Sequence, residues 1–179
     1  MSLDLFQAGL RLAVPLIFAA LGGMLSERSG IANIALEGLL LTSAFTGAVA
    51  AHFAFQAGYY EPVLFGLVAG LLSAGLLGLL FACLCIYTRA DQIVIGIGLN
   101  LLVAGSLPVL TKAIFNVTGA TPQLPESAVF QSFVPFLIMA VLSVFILHWV
   151  LLKTRWGLRL RAAGDSPFAL SSQGVSVQK

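Results

Sequence analysis

In a chain this apolar, Glu37, Gln92, Gly96 and Asn100 stand out as residues whose types and spacing could serve a pathway. Gln92, Gly96 and Asn100 are spaced i, i+4, i+8, so on a helix two carboxamides and a glycine share one face. A carboxamide offers two donors and an acceptor oxygen. Midway along an apolar segment, Asn100 either bonds to a neighbouring helix or faces a wet cavity that lines a solute path. Glu37 follows Glu27-Arg28 and precedes a long apolar run. It pairs with Arg28, anchors a helix end at a membrane interface, or contacts a solute. His52 and His148 lie near the ends of apolar runs, where a polar-tipped ring is well placed. Neither has Cys, Asp or Glu at i+3 or i+4, so no metal centre is expected. Cys83 and Cys85, two apart, face different sides of a helix and are expected to pack as small apolar residues. The sequence contains no GxSxG elbow, no HExxH and no GxxxxGK[ST] phosphate loop. It is therefore not read as an enzyme, and any energy from ATP must come through another polypeptide.

The elements that hold these residues follow from composition. Of 179 residues, 59% are apolar and 9% charged, with a mean hydropathy of +1.03. Ordinary soluble domains are roughly 25% charged. A nucleic-acid binder, a secreted disulfide scaffold and a water-soluble enzyme are excluded. Charge-free runs cover 38–60, 62–88, 92–111 and 127–152, and a shorter one covers 12–26. A spanning helix needs about 20 residues. The runs predict an all-α, polytopic transmembrane bundle of five spans near 9–25, 38–58, 62–88, 93–110 and 130–152. Pro62 is placed to open the third span, and Pro15, Pro108 and Pro135 are candidate kinks. Met-Ser-Leu-Asp-Leu-Phe lacks a basic n-region, so the first span is expected to stay in the mature chain.

Orientation follows from Lys and Arg. With residues 153–179 inside, the inner segments hold Arg28, Arg89, Lys153, Arg155, Arg159, Arg161 and Lys179, and the outer ones only Arg11 and Lys112. The positive-inside rule then puts the N-terminus outside and the tail in the cytoplasm. The 111–129 loop, with Pro122 and Pro125, lies outside; its Asn116-Val117-Thr118 sequon is taken as chance. Small residues mark packing faces: Gly66, Gly70, Ala74, Gly78 and Ala82 on the third span, and Gly38, Thr42, Thr46 and Ala50 on the second, flanked by Ser43, Gly47 and Ala51.

The tail beyond 153 carries a basic run from Lys153 to Arg161. Ser166 as N-cap, Pro167 as first helical residue and Gly174 as C′ stop then frame a helix at 167–173. Two turns are too short to be stable alone in water. Phe168 and Leu170 give it apolar contacts for a docking partner; the alternative is an ordered loop.

Three segments, in order along the chain, resemble one family. They are Leu25-Ser26-Glu27-Arg28-Ser29-Gly30 through Asn33 to Leu36-Glu37-Gly38, then Ala90-Asp91-Gln92 through Gly96 to Leu99-Asn100-Leu101-Leu102, and Thr154-Arg155-Trp156-Gly157 through Arg161-Ala162-Ala163-Gly164 to Gly174-Val175. Together they resemble the permease subunits of ATP-binding-cassette importers for branched-chain amino acids, simple sugars and nucleosides, most closely the nucleoside and simple-sugar members. The resemblance implies a translocation pathway shared with a second, homologous or identical permease subunit. It implies a cytoplasmic ABC ATPase that binds the ATP, an extracytoplasmic solute-binding lipoprotein that delivers the solute, and residence in the bacterial cytoplasmic membrane among its lipids. Arg161, Gly164, Asp165, Pro167, Phe168, Leu170 and Gly174 would form the ATPase-coupling loop. Glu37, Gln92, Gly96 and Asn100 are the pathway candidates, and no cofactor, metal or nucleic acid is expected. Residues 1–152 form the membrane region and 153–179 the cytoplasmic loop. Family members continue through further helices, so the chain is expected to be the N-terminal part of a permease. Nucleoside import is the leading reading. The alternatives are a simple-sugar or branched-chain amino acid permease, or a truncated, non-transporting membrane scaffold.

Overall fold

A computed structural model describes residues 2–88, 90–117, 119–125, 128–130, 132–166, 168 and 172. Among them the regular elements are helical: α1 (Ser2–Arg28), α2 (Leu36–Gln56), α3 (Pro62–Tyr87), α4 (Gln92–Phe115), α5 (Val134–Lys153) and α6 (Arg155–Asp165). Five of them, α1 to α5, are long and apolar enough to cross a membrane.

Several boundaries differ from those read in the sequence, each for a local reason. α1 starts at Ser2 rather than near residue 9, since 2–8 contains no helix breaker ahead of the apolar run. α2 runs from 36 to 56 instead of 38 to 58 because Gly58, at φ +79°, closes it. Its Gly58 N–H bonds Phe55 O and the Tyr59 N–H bonds Ala54 O, the paired bonds of a Schellman cap. α4 continues past residue 110 to Phe115; Lys112 suits the negative end of the helix, and Asn116 caps it in the left-handed region at φ 56°. α5 begins at Val134, not 130, with Pro135 in its first turn, where a missing N–H costs nothing. Pro15 and Pro108 lie inside α1 and α4, whose helical runs continue through them.

The chain divides into two compact units, Ile34–Gln131 and Met1–Asn33 with Ser132–Lys179. In the first, α2 and α3 form a hairpin packed along the small-residue faces. A Cβ on Gly66 would lie 2.6 Å from Gly47 O and 2.9 Å from the Ala51 Cβ, and one on Gly70 would lie 3.0 Å from Ser43 O. Backbone therefore meets backbone along this seam, the route by which helices gain dispersion contact where lipid offers no hydrophobic drive. Thr46 Oγ1 and Ser73 Oγ are 2.6 Å apart across it. Each hydroxyl also reaches a carbonyl of its own helix, Thr42 O and Gly70 O respectively. Farther along, a Cβ on Gly78 would meet only the end of Leu39 at 3.7 Å, so the close approach is confined to one half of the stripe.

In the second unit, α1, α5 and α6 assemble around a turn the sequence did not disclose. Thr154 ends α5 and starts α6 as a single extended residue. Its Oγ1 donates to Val150 O at 2.6 Å and accepts from the Gly157 N–H at 3.2 Å. The 155–165 stretch, read in the sequence as part of a basic loop, is thus a helix with an N-cap.

Candidate functional site

α2 has no side chain of its own capping its start: Ala35 occupies the N-cap position. The first intrahelical bond runs from the Leu39 N–H to Ala35 O, which leaves the Gly38 N–H free of the helix ladder. Asn100, on α4, fills that place. Its Oδ1 accepts from Gly38 N at 2.8 Å, and its Nδ2 donates to Ile34 O at 2.9 Å. One carboxamide thereby satisfies a donor in the first turn of another helix and an acceptor just ahead of that turn. Both glycines in this corner are needed for the approach. A Cβ on Gly38 would sit 2.9 Å from Asn100 Oδ1, and one on Gly96 would sit 2.8 Å from the Ile34 Cβ. Of the two roles open to Asn100, bonding to a neighbouring helix is the one its geometry displays. Gly96 is buried beneath it, Gln92 is half-buried at the first position of α4, and Glu37 is exposed in the first turn of α2. A carboxylate there is favoured by the positive end of the helix.

Away from this corner a groove of about 420 Å³ opens between α2 and α4. Leu41, Phe45 and Ala48 form one wall, Ala104, Pro108 and Thr111 the other, with Gly119–Thr121 beside them. The opposite ends of the two helices meet again through aromatic rings. His52 stands edge-on to Phe115 at 5.1 Å, and its Nε2 is 3.0 Å from the Gln56 carboxamide nitrogen. The groove is therefore bounded at one end by Asn100 on Gly38 and at the other by His52 on Phe115. Sequence reading missed both partners. Asp91 was also missed as a cap: its Oδ1 accepts from Ile93 N at 2.8 Å and starts α4.

Arg161, Gly164, Asp165 and Phe168, the described residues of the segment read as a coupling loop, lie in the other unit. Ser26-Glu27-Arg28-Ser29-Gly30 is the Schellman cap of α1, with Gly30 at φ +88°. The Gly30 N–H bonds Glu27 O, the Ile31 N–H bonds Ser26 O, and Ser26 Oγ donates to Ile31 O at 2.8 Å. α6 lies across the ends of α5 and α1. A Cβ on Gly157 would collide with the Val150 and Leu151 carbonyls, and one on Gly164 would lie 2.5 Å from Arg28 O and 3.0 Å from Gly30 N. The two glycines are seven helical steps apart, about 10 Å, which matches the usual spacing of packed helices. Arg161 is half-buried with its Nε donating to Gly157 O at 3.4 Å, while Asp165 ends α6 and is exposed. Phe168 is helical and 84% exposed. Pro167, Leu170 and Gly174, and with them most of the helix read at 167–173, lie outside the described residues.

Residues 5–179 match the family described as "Branched-chain amino acid transport system / permease component". The chain belongs to this family. Among curated proteins, this permease chain is 36% identical over 185 residues to the guanosine ABC transporter permease protein NupQ of Bacillus subtilis (strain 168), covering 93% of the chain and 57% of the relative. It is 35% identical over 188 residues to the nucleoside ABC transporter permease protein NupC of Lactococcus lactis subsp. cremoris (strain MG1363), covering 92% and 57%. A putative glucose ABC transporter permease protein, TsgC13 of Haloferax volcanii, is 27% identical over 191 residues, covering 98% and 56%. The permease chain thus spans a little over half the length of these relatives. No solved structure matches it. With five membrane-length helices and membership of a transport family, it is a multi-pass plasma-membrane protein.

Proposed function

We propose that the chain is part of the permease subunit of an ATP-binding-cassette importer for nucleosides, with simple sugars as the second solute class. The observation that carries this reading is the likeness, over more than nine-tenths of the chain, to two permeases named for guanosine and nucleoside transport. The putative glucose permease among the relatives keeps sugars in view. In this reading the α2–α4 groove and the corner formed by Glu37, Gln92, Gly96 and Asn100 contribute one wall of the pathway, and a second permease subunit, homologous or identical, supplies the other. A solute-binding lipoprotein delivers the solute from outside. ATP is bound by a cytoplasmic ATPase rather than by this chain.

The ATPase docks on the segment that leaves α6 at Ser166, where Phe168 offers an exposed ring, and α6 itself lies on the cytoplasmic side with the N-terminus outside. ATP-driven closure can shift the permease only if the ATPase binds one of its conformations more tightly. The test uses the permease in sealed vesicles with the purified ATPase subunit added. Inside-out vesicles should retain the ATPase and right-side-out vesicles should not; Phe168→Asp with Leu170→Asp should lower retention by on the order of tenfold, the loss expected for about 1.4 kcal/mol. Retention on right-side-out vesicles would reverse the orientation, and undiminished retention by the variant would remove the docking segment from the interface.

A further inference from the structure

Where α1 and α5 end under α6, they enclose a groove of about 310 Å³ whose character changes along its length. Leu21, Met24, Val144 and Leu151 give it an apolar wall, His148 lies between the last two on α5, and Arg28 and Arg161 stand at its end. A second, polar cleft of about 330 Å³ adjoins it, sharing Arg28 and Arg161 and bringing Glu27 and Asp165 nearby. Among the described residues no ion pair joins either guanidinium to a carboxylate, and the Arg161 Nε donates to the carbonyl of Gly157. Around the ends of these helices, Arg28, Lys153, Arg155, Arg159 and Arg161 outnumber Glu27 and Asp165.

We propose that this groove is a binding site for an anionic phospholipid, its phosphate held by Arg28 and Arg161 and an acyl chain lying between α1 and α5. Three observations select this occupant. α1 and α5 both have membrane-spanning length, so their outer faces meet lipid unless another helix covers them. Arg28 ends α1, and Arg161 lies on α6, which packs against the ends of both spans, where headgroups are. The apolar wall runs from there toward the interior of each span, as an acyl chain would. Guanidinium groups bind phosphate oxygens in a planar, two-pronged geometry that a zwitterionic headgroup, carrying its own cation, satisfies less well. Basic pockets between spanning helices recognise anionic headgroups by this combination.

The test is lipid retention by the intact, delipidated chain in detergent, measured by native mass spectrometry with phosphatidylglycerol or phosphatidylcholine added. Each arginine at headgroup depth contributes about a factor of five, so phosphatidylglycerol should be preferred by about twenty-five-fold. Arg28→Gln with Arg161→Gln should bring the preference close to unity, while Arg161→Lys should keep most of it. If the double variant does not elute as folded protein, Met24→Trp, which fills the groove and leaves both arginines, should still lower phosphatidylglycerol retention. Equal retention of the two lipids by the unaltered chain would overturn the proposal, as would an unchanged preference in the folded double variant or unchanged retention in Met24→Trp. Displacement by glycerol phosphate at concentrations equal to the lipid would assign the arginines to a free phosphate and likewise overturn it.

Discussion

Gly157→Val should release α6 from the ends of α5 and α1 while leaving the five long helices in place. The reason is geometric. Even a Cβ at residue 157 would press on the carbonyls of Val150 and Leu151, which are backbone atoms fixed by the helix they terminate. A flexible side chain could move aside, but this backbone cannot shift without unwinding the last turn of α5. Overpacking of this kind costs about 1–3 kcal/mol, and a branched side chain falls at the upper end. α6 carries Arg155, Arg159 and Arg161, so trypsin reports its detachment directly. Cleavage that requires local opening follows the population of the open form. The variant should therefore be cut in 155–161 on the order of tenfold faster or more, with fragments that otherwise match those of the unaltered chain. Unchanged cleavage there would mean that Gly157 does not seat α6. Gly164→Val attacks the other end of the same crossbar, against Arg28 O, and should accelerate cleavage in the same direction.

The second large effect is expected at Asn100. Asn100→Leu strips the Gly38 N–H and Ile34 O of their partner at once. A buried polar group left without a partner costs about 1–3 kcal/mol. Polar contacts between membrane helices average less than this, because the separated helices also find partners. Here, however, the acceptor meets an N–H that the helix ladder cannot satisfy. The expected loss is about 2 kcal/mol, a fall in Tm of roughly 4–8 °C for a chain of this length. Gly38→Ala, whose Cβ would displace Asn100 Oδ1, breaks the same contact from the other side. The two substitutions together should cost clearly less than the sum of their separate effects, since the second removes what the first has already broken. Strict additivity in thermal unfolding would show that the carboxamide does not cap α2.

What the sequence disclosed and what it hid divide along a physical line. Long apolar runs and the period of small residues are local properties, so five spans and the Gly66–Gly70 face were readable; that this face meets Gly47 and Ser43, which only flank the stripe read on the second span, was not. The regular stripe on α3 nevertheless overstated the seam, because Gly78 faces only the end of a leucine. Asn100 was marked by its cost in an apolar segment. Its partners were not legible, because they are backbone atoms more than sixty residues away and backbone has no sequence signature. α6 was hidden for a different reason. Its arginines resemble a solvated charge run, and Gly157 and Gly164 look like breakers when they are the contact points that let the helix lie on its neighbours. Thr154 before Arg155-Trp156-Gly157 was the available signal, an N-cap directly after a span. The Ser26–Gly30 motif was recognised as a resemblance; its physical basis, the Schellman cap that presents Arg28 O and Gly30 N to Gly164, required the fold.

The proposed role of this chain in nucleoside import is tested by solute uptake in cells in which the encoding gene is deleted. Radiolabelled guanosine, adenosine, ribose, glucose and leucine are followed separately at limiting concentration, with and without the gene restored. Nucleoside uptake should fall to background on deletion and return on restoration, with the sugars and leucine unchanged. Loss of sugar uptake alone would move the chain to the second solute class, and nucleoside uptake that survives deletion intact would contradict the account.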